Sequence, residues 1–111
     1  MSVTAKPIIL AKYAENAQTT QYTATNCRTI IDKFTATNVS AANATLSINI
    51  VPTAGAVGTA NLIMKTRAIA PGECYTCPEV VGHSIEPNGI ISTLASAASA
   101  IVIRSSGREI T

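Results

Sequence analysis

Hydrophobic and polar positions alternate most regularly just before Pro52, where Leu46, Ile48 and Ile50 are apolar and Thr45, Ser47 and Asn49 are polar. A period of two sends successive side chains to opposite faces of an extended chain, so residues 44–51 are predicted to form a strand with one buried face. Pro52 ends that strand, and Thr53 to Thr59, with Gly55 and Gly58, is expected to be a loop. Residues 62–69 resume as a strand with Lys65 and Arg67 on one face, turned toward solvent or an acidic partner. Upstream, Ile30, Phe34 and Ala36 share one parity and Ile31, Lys33 and Thr35 the other; the first set is expected to face inward, with Asp32 interrupting it. Thr19 to Thr25, around Tyr22, fits a half-exposed strand, and residues 38–43 a loop of turn formers.

Three turn signals punctuate the second half of the chain: Ala70-Pro71-Gly72, Glu86-Pro87-Asn88-Gly89 and Ser106-Gly107. Pro presets φ for the second position of a tight turn, and Gly or Asn accepts the positive φ that can follow. The β-branched runs Ile90 to Leu94 and Ala100 to Arg104 are too short for stable helices and are predicted to be strands. Glu73 to Thr76 is expected to form another, and Cys77-Pro78-Glu79-Val80-Val81-Gly82 a single helical turn. Six to eight short strands separated by such turns predict an all-β fold, an antiparallel two-sheet β-sandwich of jelly-roll or Ig-like type. Residues 1–18 are expected to form an extended N-terminal arm and residues 19–111 the sandwich. The expected core is Ile30, Phe34, Leu46, Ile48, Ile50, Leu62, Met64, Ile91, Ile101 and Ile103, so that truncating Ile48 should cost much and truncating Asn49 little.

Composition sharpens this picture. Hydrophobic residues are 47% of the 111, but 18 of them are Ala, and Thr supplies another 15, a bias that suits closely packed sheets. Charged residues are 13%, about half the usual share of a soluble domain, leaving a surface easily covered by a partner. The formal net charge is +2 and the cations are scattered, with no basic block to announce nucleic acid or an anionic membrane. Short apolar runs give no spanning segment or signal-peptide pattern, which points to a soluble chain made in a cytoplasm. Three cysteines, an odd number, do not form a disulfide framework.

Candidate chemistry is sparse. Cys74 and Cys77, with His83 and the distant Cys27, supply thiolates and an imidazole at short spacing, but a zinc ribbon needs a second such pair, and no metal or cofactor is expected. His83 is the only histidine, and Ser84 beside it would lie on the opposite strand face. The six acids show no paired spacing, and no phosphate loop, nucleophile elbow or zinc-protease motif occurs. No catalytic residue is assigned, and the chain is expected not to be an enzyme. Pro7, Ile8, Ile9 and Leu10 are the candidate interface, the means by which the arm docks on its own sheet or on a neighbouring subunit. Deleting residues 1–10 is expected to leave the sandwich folded while weakening association.

The order Phe34-Thr35-Ala36-Thr37-Asn38, Leu46 to Pro52, Ile69 to Tyr75, Gly89 to Thr93 and Ile103 to Glu109 resembles small virion proteins of tailed bacteriophages, over roughly residues 26 to 109. The resemblance implies a non-enzymatic β-sandwich that decorates or cements the capsid, or sits on the tail or connector. It implies a homo-oligomer that meets other virion proteins such as the major capsid protein, without nucleic acid or membrane, in a virion assembled in a bacterial host. No functional residue carries over, because the type has no catalytic signature. A carbohydrate-binding sandwich is the competing expectation, and four scattered aromatics give it no platform.

Overall fold

Nine strands, every pair antiparallel, make two sheets in a computed structural model that describes the chain from Met1 to Thr111. They are β1 (Val3–Tyr13), β2 (Thr19–Thr23), β3 (Arg28–Asn38), β4 (Ala44–Val51), β5 (Leu62–Ile69), β6 (Cys74–Tyr75), β7 (Ser84–Ile85), β8 (Ile90–Ala95) and β9 (Ile101–Ile110). The first sheet runs β1-β9-β3-β6, with β7 also on β3, and the second runs β2-β8-β4-β5. The chain is therefore an antiparallel two-sheet sandwich. Four of its pairings are nested in sequence, β4 with β5 innermost, then β3 with β6 and β7, β2 with β8, and β1 with β9 outermost, and β3 with β9 and β4 with β8 join these into the two sheets. Successive pairs in this nest fall in alternate sheets.

Two of the three turn signals form as their residues dictate. The Glu73 N–H donates to the Ala70 carbonyl at 2.9 Å with Gly72 at φ +78°. The Gly89 N–H donates to the Glu86 carbonyl at 2.8 Å with Asn88 at φ +67°. Both are turns whose third residue must enter the left-handed region. Ser106-Gly107 is not a turn. β9 runs straight through it, because this glycine serves close approach: a Cβ there would overlap the carbonyl oxygen of Ile30 on β3. The reversal lies instead at residues 96–100, where the chain passes from one sheet to the other.

The expected parity of β3 is corrected by a bulge at the same place. Ile31 pairs with Gly107 and Lys33 with Ser106, so Asp32 is surplus. An extra residue flips the alternation on one side of it. Ile31 is thus fully buried and Ile30 only partly, while Phe34 and Ala36 keep their inward places. Asp32 turns outward to Arg108, accepting three hydrogen bonds of 2.9–3.1 Å from its guanidinium. On the far side of β3, β6 and β7 form one interrupted edge strand. Residues 76–83 loop out between them and return, Gly82 N–H to the Ile31 carbonyl at 2.7 Å and Ile31 N–H to the His83 carbonyl at 3.0 Å. The predicted helical turn is present within this loop as Val80 and Val81 N–H bonds to the Cys77 carbonyl.

Between the sheets lie Phe34, Leu46, Ile48, Met64, Ile91, Ile101 and Ile103, as expected, joined by Ile8, Ile9, Ile31, Ile69, Val80 and Ile85. Ile50 packs against this core from its margin. Leu62 does not join it, and lines a groove on the outer face of the second sheet. The polar side of β4 is also covered: Asn49 is buried beneath the 52–61 segment and Ser47 against β5, where its hydroxyl accepts from the Thr66 N–H at 2.8 Å, while Ser92, opposite Asn49 on β8, is buried beneath Gln18. Asn49 Nδ2 donates to the Gly58 carbonyl at 3.0 Å and to Asn61 Oδ1 at 2.8 Å, so the loop after Pro52 is clamped down by a residue the alternation assigns to solvent.

Candidate functional site

The expected interface residues part company. Residues 3–13 form the outermost strand of the first sheet, hydrogen-bonded to β9 and continued by reciprocal Ser2–Thr111 backbone bonds. Register shifts on either side of Ile9 let consecutive Ile8 and Ile9 both enter the core, while Pro7 and Leu10 remain on the surface. The cluster Pro7-Ile8-Ile9-Leu10 thus presents two residues outward and commits two inward. Removing residues 1–10 would extract two core side chains, each worth about 1.5–3 kcal/mol of burial, and strip β9 of most of its pairing on one edge, leaving it bonded to β3 on the other. The free edge of β1 carries Val3, Leu10 and Tyr13 as exposed apolar groups.

The cysteines and the histidine do not gather. Cys27 is buried at one end of the sandwich, with its Sγ 3.6 Å from Thr29 Oγ1. Beside it the Tyr22 hydroxyl donates to Glu109 Oε2 at 2.5 Å and lies 2.7 Å from Thr29 Oγ1, tying the second sheet to the first. Burial and the Glu109 bond push the Tyr22 phenol upward, and the Tyr22 bond, aided by Lys6, holds Glu109 below the usual carboxylate range. Cys74 is exposed, whereas Cys77 sits at φ +48° with its thiol buried. Burial, with Glu79 nearby, pushes that thiol up to about 12. No three His, Cys, Asp or Glu side chains come together in a way that would hold a metal ion.

Three recesses mark the surface. One of about 300 Å³ lies on the outer face of the second sheet, with Val57, Leu62 and Leu94 apolar and Lys65 at its margin. Thr66, at φ +43°, kinks β5 here and separates the two cations that the sequence places on one face. Lys65 stays with the groove, and the Arg67 guanidinium lies 4.1 Å from the Tyr75 ring centroid, spanning the gap between the sheet edges. A second recess of about 380 Å³ adjoins the 76–83 loop, lined by Asp32, Lys33, Thr76, Pro78 and Val81. The third, about 110 Å³, lies on the outer face of the first sheet and is lined wholly by polar residues, Lys33, Thr35, Arg104, Ser105 and Ser106. No aromatic ring lines any of the three, and the one carboxylate among them, Asp32, is engaged by Arg108.

Sequence reasoning did not single out Lys33 and Arg104. Their parities were visible, Lys33 beside inward Phe34 and Arg104 beside inward Ile103, but their meeting depends on the β3–β9 register, which pairs Thr35 with Arg104 and Lys33 with Ser106. Comparison of the chain with protein-family models, with curated proteins and with solved structures returns no match.

Proposed function

We propose that this chain is a non-enzymatic structural component of a tailed-bacteriophage virion, a homo-oligomeric decoration or cement protein that works by contact with the major capsid protein. The observation that carries this is the nested strand order. Four antiparallel pairings, each wrapped around the next and dealt alternately to two sheets, favour the jelly-roll reading of the sandwich over the Ig-like one, and the jelly roll is an architecture used by viral capsid domains as well as by lectins and cupins. Fold does not dictate function, so surface chemistry has to agree with it. Charge is sparse, and the edge of β1 offers unpaired backbone along eleven residues with Pro7 and Leu10 beside it. A standard interface covers about 800 Å² per partner, roughly a seventh of the 5580 Å² this chain exposes, so one sheet edge and its adjoining face suffice.

Sedimentation of the purified chain across a wide concentration range should show a defined oligomer. Density-gradient purification of tailed-phage particles from a lysate that contains the chain should bring it down with the head. A monomer at every concentration that never copurifies with particles would overturn the proposal.

A further inference from the structure

The acidic and basic side chains of this molecule do not cancel evenly, and the imbalance has an address. All six carboxylates are engaged within the chain. Asp32 binds Arg108, Glu15 binds Lys12 and Gln21, and Glu86 binds Arg28. Glu109 meets Lys6 and Tyr22, Glu79 accepts from the Tyr75 hydroxyl, and Glu73 accepts from the Ala70 N–H. Of the eight cations, Lys33, Lys65, Arg67 and Arg104 have no carboxylate partner. Arg67 is spent on the Tyr75 ring, and Lys65 lies alone on the other sheet.

Lys33 and Arg104 are together. They line the 110 Å³ recess with Thr35 and Ser106, all four set by the β3–β9 register on one outer face, and the Ser105 hydroxyl holds the floor by donating to the Lys33 carbonyl at 2.7 Å. Like charges on a cross-strand diagonal repel each other, and nothing within the chain offsets this pair. An oxyanion in the recess would, with an ammonium and a guanidinium fork as charged donors and two hydroxyls beside them.

We propose that this recess binds a carboxylate side chain of a neighbouring protein whose sequence differs from this one. In a second copy all six side-chain carboxylates already have a partner in their own chain, four of them a cation, so entering the recess would cost that contact. A nucleic-acid backbone needs a track of cations, whereas here there are two, in a space that holds one small oxyanion. Oxyanion binding itself is independent of where the protein works; its presentation by a different virion protein rests on the function proposed above.

The test is ¹H–¹⁵N titration of the full chain with sodium acetate against sodium chloride at matched ionic strength. It is repeated with a short oligoglutamate peptide and with a single-stranded oligonucleotide of equal charge. The resonances of Lys33, Thr35, Arg104 and Ser106 should move with acetate and with the peptide. The double variant Lys33→Gln/Arg104→Gln, both exposed positions, should weaken peptide binding at least tenfold, and Lys65→Gln should not. Identical responses to acetate and chloride, or an undiminished response in the double variant, would overturn the site. Tighter binding of the oligonucleotide at these residues would overturn the partner class in favour of nucleic acid. If the parent chain copurifies with particles and the double variant does so equally well, the contact is refuted while the virion assignment stands. If the parent fails to copurify, the assignment is refuted, and the acetate titration still decides the site.

Discussion

Replacing Gly107 by Ala tests the most constrained point of the fold. Gly107 lies inside β9 between Lys6 of β1 and Ile31 of β3, and its backbone is not in the left-handed region, so its conformation alone would admit alanine. Space forbids it. The added methyl would overlap the Ile30 carbonyl oxygen and sit 3.3 Å from the Ile30 carbonyl carbon and 3.5 Å from Ile31 Cα, all backbone atoms with no rotamer to yield. β3 cannot retreat either, because Ile31 is bonded on its other side to Gly82 and His83. Overpacking typically costs about 1–3 kcal/mol, and each ladder bond broken to relieve it about 1 kcal/mol more. A loss of about 3 kcal/mol or more is expected, against a total of about 5–15 kcal/mol for a domain. That corresponds to a fall in Tm of more than about 10 °C. Urea denaturation followed by circular dichroism measures it, with Gly58→Ala as the control. Gly58 is extended, its nearest neighbouring atom would be 4.0 Å from the new methyl, and the change should stay within about 0.5 kcal/mol. A Gly107→Ala protein as stable as that control would refute the close approach of β3 and β9.

Ile48→Ala should cost about 2–5 kcal/mol and Asn49→Ala about 1–3 kcal/mol, the second by releasing the 52–61 segment; an Asn49→Ala variant with parental urea midpoint would show that the loop is not clamped. In the native protein at pH 8, an aromatic disulfide reagent should titrate exposed Cys74 quickly and reach Cys27 and Cys77 only on unfolding, whereas rapid loss of all three thiols would contradict their burial. Glu109 is held below its ordinary value of 4.5, chiefly by Tyr22, so its contribution is complete above that pH and is lost as pH falls through the lower, folded value. Tyr22→Phe should flatten the decline in Tm between pH 5 and pH 3 attributable to this pair, and parallel parental and variant profiles would refute the coupling.

Local rules made much of the fold legible. The alternation of Leu46, Ile48 and Ile50 predicts β4, and its bounds are those observed. Pro71-Gly72 and Pro87-Asn88 place two reversals, because positive φ at the third turn position is a property of the residue types themselves. What stayed hidden depends on partners distant in sequence. Ser106-Gly107 has the composition of a turn, and only the backbone of Ile30 opposite shows that its glycine makes room within a strand. Asn49 is polar by composition and buried by the loop that follows. The N-terminal apolar cluster announces a docking segment, but the register shifts that send both Ile8 and Ile9 inward are set by β9, almost a hundred residues away.

The polar recess on the first sheet was unreadable for a related reason, and Asp32 shows why. Beside Lys33 in sequence, it would be taken for that lysine's natural counterion. In an unbroken strand it would share the inward parity of Phe34, where an unpaired carboxylate costs several kcal/mol. The bulge resolves this by turning Asp32 outward, one strand over from Arg108, whose guanidinium takes both its oxygens. That fork-to-carboxylate geometry holds the acid with Arg108. Lys33, its neighbour in sequence, and Arg104, on the same strand as Arg108, are left without an acid between them. One surplus residue thus does two things at once. It sets which isoleucine enters the core, Ile31 in place of Ile30, and it leaves a pair of positive charges uncompensated on the face outside it.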